Sequence, residues 1–222
     1  MINGNVFVPI CMYTRFFKRR ENFRRFTEEH LRDARAAFIV VADDLQAYNL
    51  VNRGYAEAIA FKNARTEGKN VATMIASVID KAELAARVRL CRWADLTASD
   101  DYRALYAKFH DAFEGDAMLA PLLRNFVDHH VRRMHWQRSK KEATWEQRYI
   151  LEEVVASVSM TELRGFTNEI WEKVPGPLEP DPLRDLYGHH GDLLRSLTGK
   201  TTLDRRLIVL TEATPEVVAV GD

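Results

Sequence analysis

Two runs of β-branched and aromatic residues near the start of the chain constrain its fold more than any other feature. The first is NVFVPI at residues 5–10, and the second is AAFIVVAD at residues 36–43. The second run is apolar on both faces, as a strand is when helices cover both sides of a parallel sheet. Residues 18–35 between them have helical spacing. This order predicts a parallel strand–helix–strand unit at about the minimum crossover length.

The rest of the chain is predominantly helical in pattern. A short helix should follow Asp43 and Asp44 and stop at Gly54, and residues 56–92 continue a helical pattern that is interrupted near Gly68, without a strong strand signal. Further helices are predicted at 100–114, 118–139, 142–163 and 183–197, and a last strand at RRLIVLTEA, residues 205–213. We therefore predict one α/β domain over residues 1–222, with a parallel sheet flanked by helices and a flexible tail over 212–222.

Composition narrows the class of protein. The 222 residues are 46% hydrophobic and 29% charged, which is typical of a globular chain with a sizeable core. We see neither an uncharged apolar stretch of membrane-spanning length nor a signal peptide, so we expect a cytoplasmic protein without a membrane partner. The two cysteines, Cys11 and Cys91, lie far apart without CxxC spacing. We expect reduced thiols, with Cys91 in a packing role.

Charge is balanced overall but clustered along the chain. There are 32 basic and 32 acidic residues, yet residues 15–25 carry six cations and one carboxylate. Residues 124–141 carry the same charges with three histidines added, and residues 169–185 are acidic in balance. The two basic segments predict either a surface for a phosphate backbone or ordinary solvated helix faces. Sequence alone leaves both interpretations open.

Cys11 lies directly after the first predicted strand, where open parallel sheets bind their ligands. The common phosphate-loop, dinucleotide, hydrolase-elbow and zincin motifs are absent from the sequence. His129 and His130 are adjacent, so on a helix they would point in different directions and would not form a metal pair with each other. We expect no metal and no cofactor.

A tyrosine and a glutamate form a second candidate group, in the segment RYILEEVVASVSM. On a helix, Tyr149 and Glu153 are four residues apart and share a face, so both side chains can enter one crevice. Glu152 is turned about a hundred degrees away, and we expect it to meet water. By itself this pair is equally typical of an amphipathic helix with a partly buried tyrosine and a solvated glutamate.

Taken together, these segments resemble the tRNA-dependent cyclodipeptide synthases. The family's serine nucleophile follows the first core strand, with an aromatic pair five and six residues later; VPICMYTRFF has Cys11 at the serine position and Phe16 and Phe17 at the pair. Tyr149 and Glu153 match the family's YxxxE motif. The region after the second strand also matches, through Gly54, Tyr55, Ala64, Arg65, Gly68 and Asn70. The resemblance extends from about Val6 to Tyr187.

The resemblance implies a fold and an activity. The fold would be Rossmann-like, similar to the catalytic domain of class I tyrosyl- and tryptophanyl-tRNA synthetases. The activity would be aminoacyl transfer from charged tRNA through a covalent aminoacyl-enzyme on Cys11, with a cyclodipeptide as product. The aminoacyl-tRNA ester is already activated, so neither ATP nor a metal is implied. Oligomeric state and amino-acid preference are not implied.

The resemblance also suggests roles for particular residues. Cys11, Tyr149 and Glu153 would be catalytic, and Pro9, Thr14 and Phe16 would contact the substrate. Three of these positions depart from the family pattern: Cys11 replaces serine, Pro9 replaces the usual glycine, and Thr14 stands where asparagine is common. The residues assigned to tRNA binding are Arg15, Lys18, Arg19, Arg20, Arg132, Arg133 and Arg138. Alternatively, the positive charges of the first four would favour the thiolate form of Cys11.

Two other functions stay open at this point. The chain is also compatible with an aminoacyltransferase that loads Cys11 and passes the group to a different amine or small molecule. It is further compatible with a non-catalytic tRNA-binding relative, in which Cys11 is a small buried hydrophobe.

Overall fold

A six-stranded sheet organises the molecule. The computed structural model describes residues 4–12, 16–115, 119–133, 144–172, 186–187, 190–200, 206–210 and 215–219, with backbone alone at 129–133, 144, 171–172, 207–210 and 215–219. The strands are β1 (Asn5–Ile10), β2 (Ala36–Val41), β3 (Val88–Arg92), β4 (Asn168–Glu172), β5 (Arg206–Leu210) and β6 (Pro215–Ala219). Their order in the sheet is β3-β2-β1-β4-β5-β6.

The strand directions make this a Rossmann-like sheet. The pairs β1–β2, β2–β3, β1–β4 and β4–β5 are parallel, and β6 runs antiparallel to β5. The order reverses between β1 and β4, and such a switch point opens a crevice at the carboxyl ends of the strands. The β1–β4 pairs are Val6 with Asn168 and Phe7 with Glu169. Pro9 lies beyond them and has no N–H for a further bond.

Helices connect the strands and cover the sheet. They are α1 (Arg20–Phe26), α2 (Asp43–Asn52), α3 (Glu57–Lys81), α4 (Trp93–Thr97), α5 (Asp100–Gly115), α6 (Leu119–Arg133), α7 (Thr144–Val158) and α8 (Gly191–Thr198). One π-helical turn, Thr27–Leu31, continues α1, and another, Ser159–Leu163, continues α7. No helix in the described part of the chain is both long and apolar enough to cross a membrane.

The two faces of the sheet carry separate hydrophobic cores. In β1, Val6, Val8 and Ile10 pack on one face with residues of α1 and α3. Phe7 packs on the other face with residues of α2, α4, α5, α6 and α7. The alternation follows from the two-residue period of a strand, and it places Phe7, Pro9 and Cys11 on the same side of β1.

Several sequence predictions are confirmed and others are wrong. The parallel unit of β1, α1 and β2 is as predicted. The helical prediction over 56–92 is wrong in two respects, because α3 runs through Gly68 without a break and residues 88–92 form β3. Strand β4 was not predicted. The expected tail is wrong for Pro215–Ala219, which pair with β5.

Candidate functional site

A pocket lies at the carboxyl ends of β1, β2 and β3, against α2 and α7. It encloses about 400 Å³ of empty space, part of which is open to solvent. Its walls are mostly apolar, with a few polar side chains. The lining residues are Phe7, Pro9, Cys11, Met12, Ala42, Leu45, Gln46, Asn49, Trp93, Tyr149, Glu153, Ala156 and Ser157.

The three predicted catalytic residues lie in this one pocket. Cys11 follows the last residue of β1 and is partly exposed, so it is not a fully buried core residue. Tyr149 and Glu153 lie one turn apart on α7, and both side chains line the pocket with Cys11. Residues 138 or more positions apart in sequence are thus brought together by the fold. The arrangement places a thiol, a phenol and a carboxylate around one cavity.

The prediction that Glu152 meets water is wrong. Its side chain is 6% exposed, and its carboxylate accepts hydrogen bonds from Tyr48 Oη at 2.9 Å, Trp93 Nε1 at 2.8 Å and Arg148 Nε at 2.8 Å. Tyr102 Oη donates to its backbone oxygen at 3.3 Å. One carboxylate therefore joins α2, α4 and α7 behind the pocket.

The surroundings of Glu152 determine the protonation state of Tyr48 and the balance of charge in this buried network. Burial, together with the negative charge of Glu152, raises the pKa of Tyr48 well above its ordinary value, so Tyr48 stays a donor. The Arg148 guanidinium lies 5.3 Å from the centre of the Tyr48 ring and supplies the balancing charge. Trp93 and Tyr149 line the pocket directly. Glu152 is therefore hydrogen-bonded to Trp93 in one wall of the pocket, while α7, the helix that carries Glu152, forms another wall.

A second buried carboxylate lies next to the pocket. Glu169 on β4 is fully buried and accepts a hydrogen bond of 2.7 Å from Ser157 Oγ. Ser157 lines the pocket from α7. This bond ties α7 to the strand on the far side of the switch point.

The predicted substrate-contacting residues have different outcomes. Pro9 lines the pocket. Phe16 is not among the described residues that line it; its ring packs edge-to-face on Phe17, with the ring centres 5.2 Å apart. Thr14 lies outside the described residues.

The residues predicted to bind tRNA fall into three groups: one that is bonded within the protein, two that are exposed, and four whose side chains the structure does not describe. Lys18 Nζ bonds the Met12 carbonyl oxygen at 2.6 Å and Glu67 Oε1 at 2.8 Å, so it holds the loop after β1. Arg19 is exposed, and Arg20 is exposed with Nη1 3.3 Å from Ser77 Oγ. Arg15 and Arg138 lie outside the described residues, and Arg132 and Arg133 are on α6 with side chains that the structure does not describe.

Sequence reasoning missed the contribution of α2 to the site. Leu45, Gln46 and Asn49 line the pocket at helical spacing, directly after β2. Asp43 and Asp44, expected to start this helix, also form ion pairs with Arg92 and Arg65. The sequence signal for this contribution was the position of α2 directly after β2, since a helix that follows a parallel strand begins at the ligand-binding edge of the sheet.

Cys91 has the packing role that we expected. It lies on β3 and packs against the core that contains Phe38 and Trp93. Burial, with a smaller contribution from Asp95, raises the pKa of the Cys91 thiol to about 12. The group is therefore a thiol, not a reactive thiolate, at neutral pH.

Comparison with protein families identifies one match. The family described as cyclodipeptide synthase matches residues 4–160, which are 157 of the 222 residues. The match includes Cys11, Tyr149 and Glu153. No curated protein matches the chain at a significant level.

Solved structures share the fold. A cyclodipeptide synthase from Fluoribacter dumoffii is 14% identical, with a TM-score of 0.67 over 93% of this chain and 89% of that one. One from Streptomyces noursei is 15% identical, with a TM-score of 0.59 over 77% of this chain and 82% of that one.

The description of a third solved structure relates cyclodipeptide synthetases to tRNA synthetases. The Mycobacterium tuberculosis protein is 14% identical, with a TM-score of 0.65 over 84% of this chain and 78% of that one. It is described as showing that cyclodipeptide synthetases are related to type I tRNA synthetases. The predicted fold class is confirmed. By the family match over most of its length, this chain belongs to the cyclodipeptide synthase family of aminoacyl-tRNA-dependent enzymes.

Proposed function

We propose that this protein transfers aminoacyl groups from charged tRNA through a thioester on Cys11 and releases a cyclodipeptide. The observation that carries the proposal is the meeting of Cys11, Tyr149 and Glu153 in one pocket at the carboxyl ends of β1, β2 and β3. Membership of the cyclodipeptide synthase family supports the reaction class. The cysteine nucleophile is this chain's own variation on the family's serine.

The first step loads the enzyme. Cys11 Sγ attacks the ester carbonyl carbon of an aminoacyl-tRNA, so a C–S bond forms and the bond from that carbon to the ribose oxygen breaks. The ribose hydroxyl leaves with the proton that the thiol gives up. A thiolate is a strong nucleophile, and positive charge nearby favours it. Lys18 places an ammonium group against the carbonyl of Met12, the residue after Cys11.

The second and third steps build the product. The α-amine of the aminoacyl-enzyme attacks the ester of a second aminoacyl-tRNA, which gives a dipeptidyl-enzyme and frees the second tRNA. The terminal amine then attacks the thioester carbonyl, the C–S bond breaks, and Cys11 is regenerated. Glu153 pairs with the α-ammonium group, since a carboxylate is its natural partner in a partly dry pocket. Tyr149 orients the same amine or relays its proton.

Phosphate contacts belong to the exposed start of α1. Arg19 and Arg20 are exposed, whereas Lys18 is occupied by Glu67 and the loop carbonyl. We assign the backbone of the acceptor stem to the two arginines. Arg15, Arg132, Arg133 and Arg138 stay predictions for the same role.

A different acceptor for the loaded group is the second candidate. Two residues in the pocket wall, Pro9 and Cys11, differ from the glycine and serine of the family pattern. A changed wall next to the nucleophile favours a changed second substrate. The product decides: a diketopiperazine supports the first candidate, and a product with one amino acid joined to another amine supports the second.

The direct test is product formation by Cys11 variants. Purified wild type should convert labelled aminoacyl-tRNAs to a cyclodipeptide, and Cys11→Ala should form none. Cys11→Ser should still form an aminoacyl-enzyme, because a hydroxyl replaces the thiol at the same place. Cys91→Ala is the matched control, and it should keep activity because Cys91 lies on β3 outside the pocket wall. Full activity in Cys11→Ala would contradict the proposal.

A further inference from the structure

Two buried asparagines lie three residues apart on α2, and each has one side-chain atom without a hydrogen-bond partner in the described part of the chain, Oδ1 in Asn49 and Nδ2 in Asn52. Asn49 is 3% exposed and Asn52 is 4% exposed. Asn49 lines the pocket that contains Cys11, whereas Asn52 is not among the described residues that line it. Nothing in the proposed chemistry uses either residue. The pair offers a comparison between a buried amide inside the site and one outside it.

The side-chain oxygen of Asn49 lacks a hydrogen-bond partner within the described part of the chain. Asn49 Nδ2 donates to Gln46 Oε1 at 3.4 Å, so this amide is oriented by a neighbour that also lines the pocket. Buried polar atoms in folded proteins almost always have a partner, and leaving one unsatisfied is costly. Because Asn49 is a residue of the pocket wall, a ligand donor that enters the pocket is the partner closest at hand for this acceptor.

The composition of the pocket wall limits what the donor can be. The wall is dominated by apolar side chains, including Phe7, Leu45, Trp93 and Ala156. An acceptor in a largely apolar wall discriminates strongly between a ligand that carries a donor and one that does not, because the second leaves the acceptor unpaired. The amide is neutral, so it recognises a donor without requiring a charge.

We propose that Asn49 Oδ1 accepts a hydrogen bond from an N–H or O–H group of the aminoacyl unit that reacts with Cys11. Asn49 is then a substrate-binding residue that contributes to amino-acid selection. The inference rests on the proposed function, since it takes the aminoacyl unit to be the occupant of the pocket. The donor belongs either to the α-ammonium group or to the amino-acid side chain, and selection among amino acids separates these sources.

The test compares loading rates of Asn49→Leu and Asn49→Ala with those of Asn52→Leu and Asn52→Ala. Each protein is mixed with single aminoacyl-tRNAs, and the thioester is quantified by intact-protein mass spectrometry. The fraction folded is taken from circular dichroism, and rates are expressed per folded molecule. The alanine variants serve where the added apolar bulk of leucine disturbs the fold, because alanine is the most favourable residue in a helix.

We expect both Asn49 variants to load about tenfold more slowly, as for loss of one well-made hydrogen bond. Both Asn52 variants should load within about twofold of wild type. An equal loss of loading rate for every amino acid assigns the donor to the α-ammonium group. A loss confined to amino acids with an N–H or O–H in the side chain assigns the donor to that side chain. Equal loading by Asn49 variants and wild type would overturn the inference. Absence of any thioester in wild type would instead overturn the proposed function.

Discussion

Neighbouring glutamates on α7 have opposite environments. Glu153 lines the pocket, whereas Glu152 is buried behind it and holds Tyr48, Trp93 and Arg148. The helical rotation of about 100° per residue explains the difference. The sequence correctly placed Tyr149 and Glu153 on one face, but it could not show that the other face also meets protein. Three of the partners of Glu152, namely Tyr48, Trp93 and Tyr102, lie 50 or more residues away in the sequence.

Substitution of the two glutamates should separate stability from activity. Glu152→Gln replaces a buried carboxylate by an amide that cannot satisfy the same three donors, and we expect a loss of about 1–3 kcal/mol in the free energy of unfolding. Glu153→Gln should change it by less than about 0.5 kcal/mol and should instead slow thioester formation. Urea unfolding and a loading assay measure the two effects. Unchanged stability in Glu152→Gln would contradict the network.

Helix α3 packs very closely on α2, and Gly68 is the reason that it can. A Cβ atom built on Gly68 would lie 2.5 Å from Asp43 Cβ. Asp43 is itself buried and paired with Arg92, so it cannot move away easily. The sequence suggested an interruption of the helix near Gly68, because glycine disfavours helix interiors. The structure instead uses the missing side chain for close packing.

This contact predicts the outcome of adding one methyl group. Gly68→Ala gains about 1 kcal/mol in helix propensity but should lose about 1–3 kcal/mol through overpacking, so we expect a net decrease in thermal stability. Gly115→Ala is the matched control, since no atom of the residues that the structure describes lies within 4 Å of its added Cβ atom. The control should be neutral or slightly stabilised in a thermal melt. A higher melting temperature for Gly68→Ala would contradict the packing argument.

An ion pair joins Arg164, the residue after the π-helical turn that continues α7, to Asp101 at the start of α5. Arg164 donates to both carboxylate oxygens of Asp101, at 2.8 and 2.7 Å, and to Ser99 Oγ at 2.8 Å. The hydrogen bond from Arg164 is the main cause that lowers the pKa of Asp101 below its ordinary value. Because the folded pKa is depressed, the stabilisation is present above the unfolded pKa of about 3.9 and is lost as pH falls through the folded pKa.

The pH dependence follows directly. Asp101→Asn should be less stable than wild type at pH 7, and the difference should shrink as pH falls below about 4. Asp100→Asn is the control, because Asp100 is 96% exposed and its pair with Arg103 should contribute little. Chemical unfolding at several pH values measures both. A difference that stays constant down to acid pH would show that Asp101 acts through something other than its charge.

The exposed arginines at the start of α1 predict a salt-dependent contribution to tRNA binding. Replacing both Arg19 and Arg20 by alanine should reduce the slope of log K against log salt by about 1.4–1.8, if each contacts one phosphate. Arg24→Ala is a control on the same helix, because Arg24 already pairs with Glu21 and Glu28. An unchanged slope in the double variant would remove these arginines from the tRNA surface.

The missed strands show where local sequence stops being informative. In β3, at the sheet edge, Arg89 and Arg92 interrupt the apolar residues, and Arg89 lies 5.2 Å from the Phe38 ring centre. In β4, Asn168 and Glu169 have low strand propensity, yet both are buried beside β1. Their pairing depends on tertiary partners such as Ser157, which accounts for the absence of a local signal.

At the scale of the whole molecule, one topological feature determines where the site lies. The order of strands reverses between β1 and β4, and the carboxyl ends of β1 and β2 open into the pocket. The strand–helix–strand pattern at the start of the chain predicted this edge and the position of Cys11. The remaining walls, from α2, Trp93 and α7, required the fold itself. Long-range packing therefore determines the shape of the site, while the order of motifs along the chain identifies its main groups.

The measurement that tests the central claim most directly is intact-protein mass spectrometry after brief incubation with a pool of charged tRNAs. We predict a mass increase of one aminoacyl unit in wild type, absent from Cys11→Ala and removed by neutral hydroxylamine, which cleaves thioesters. The mass also names the first amino acid. An adduct of equal yield in Cys11→Ala would contradict the account, as would the absence of any adduct together with the absence of any cyclodipeptide or other aminoacyl product.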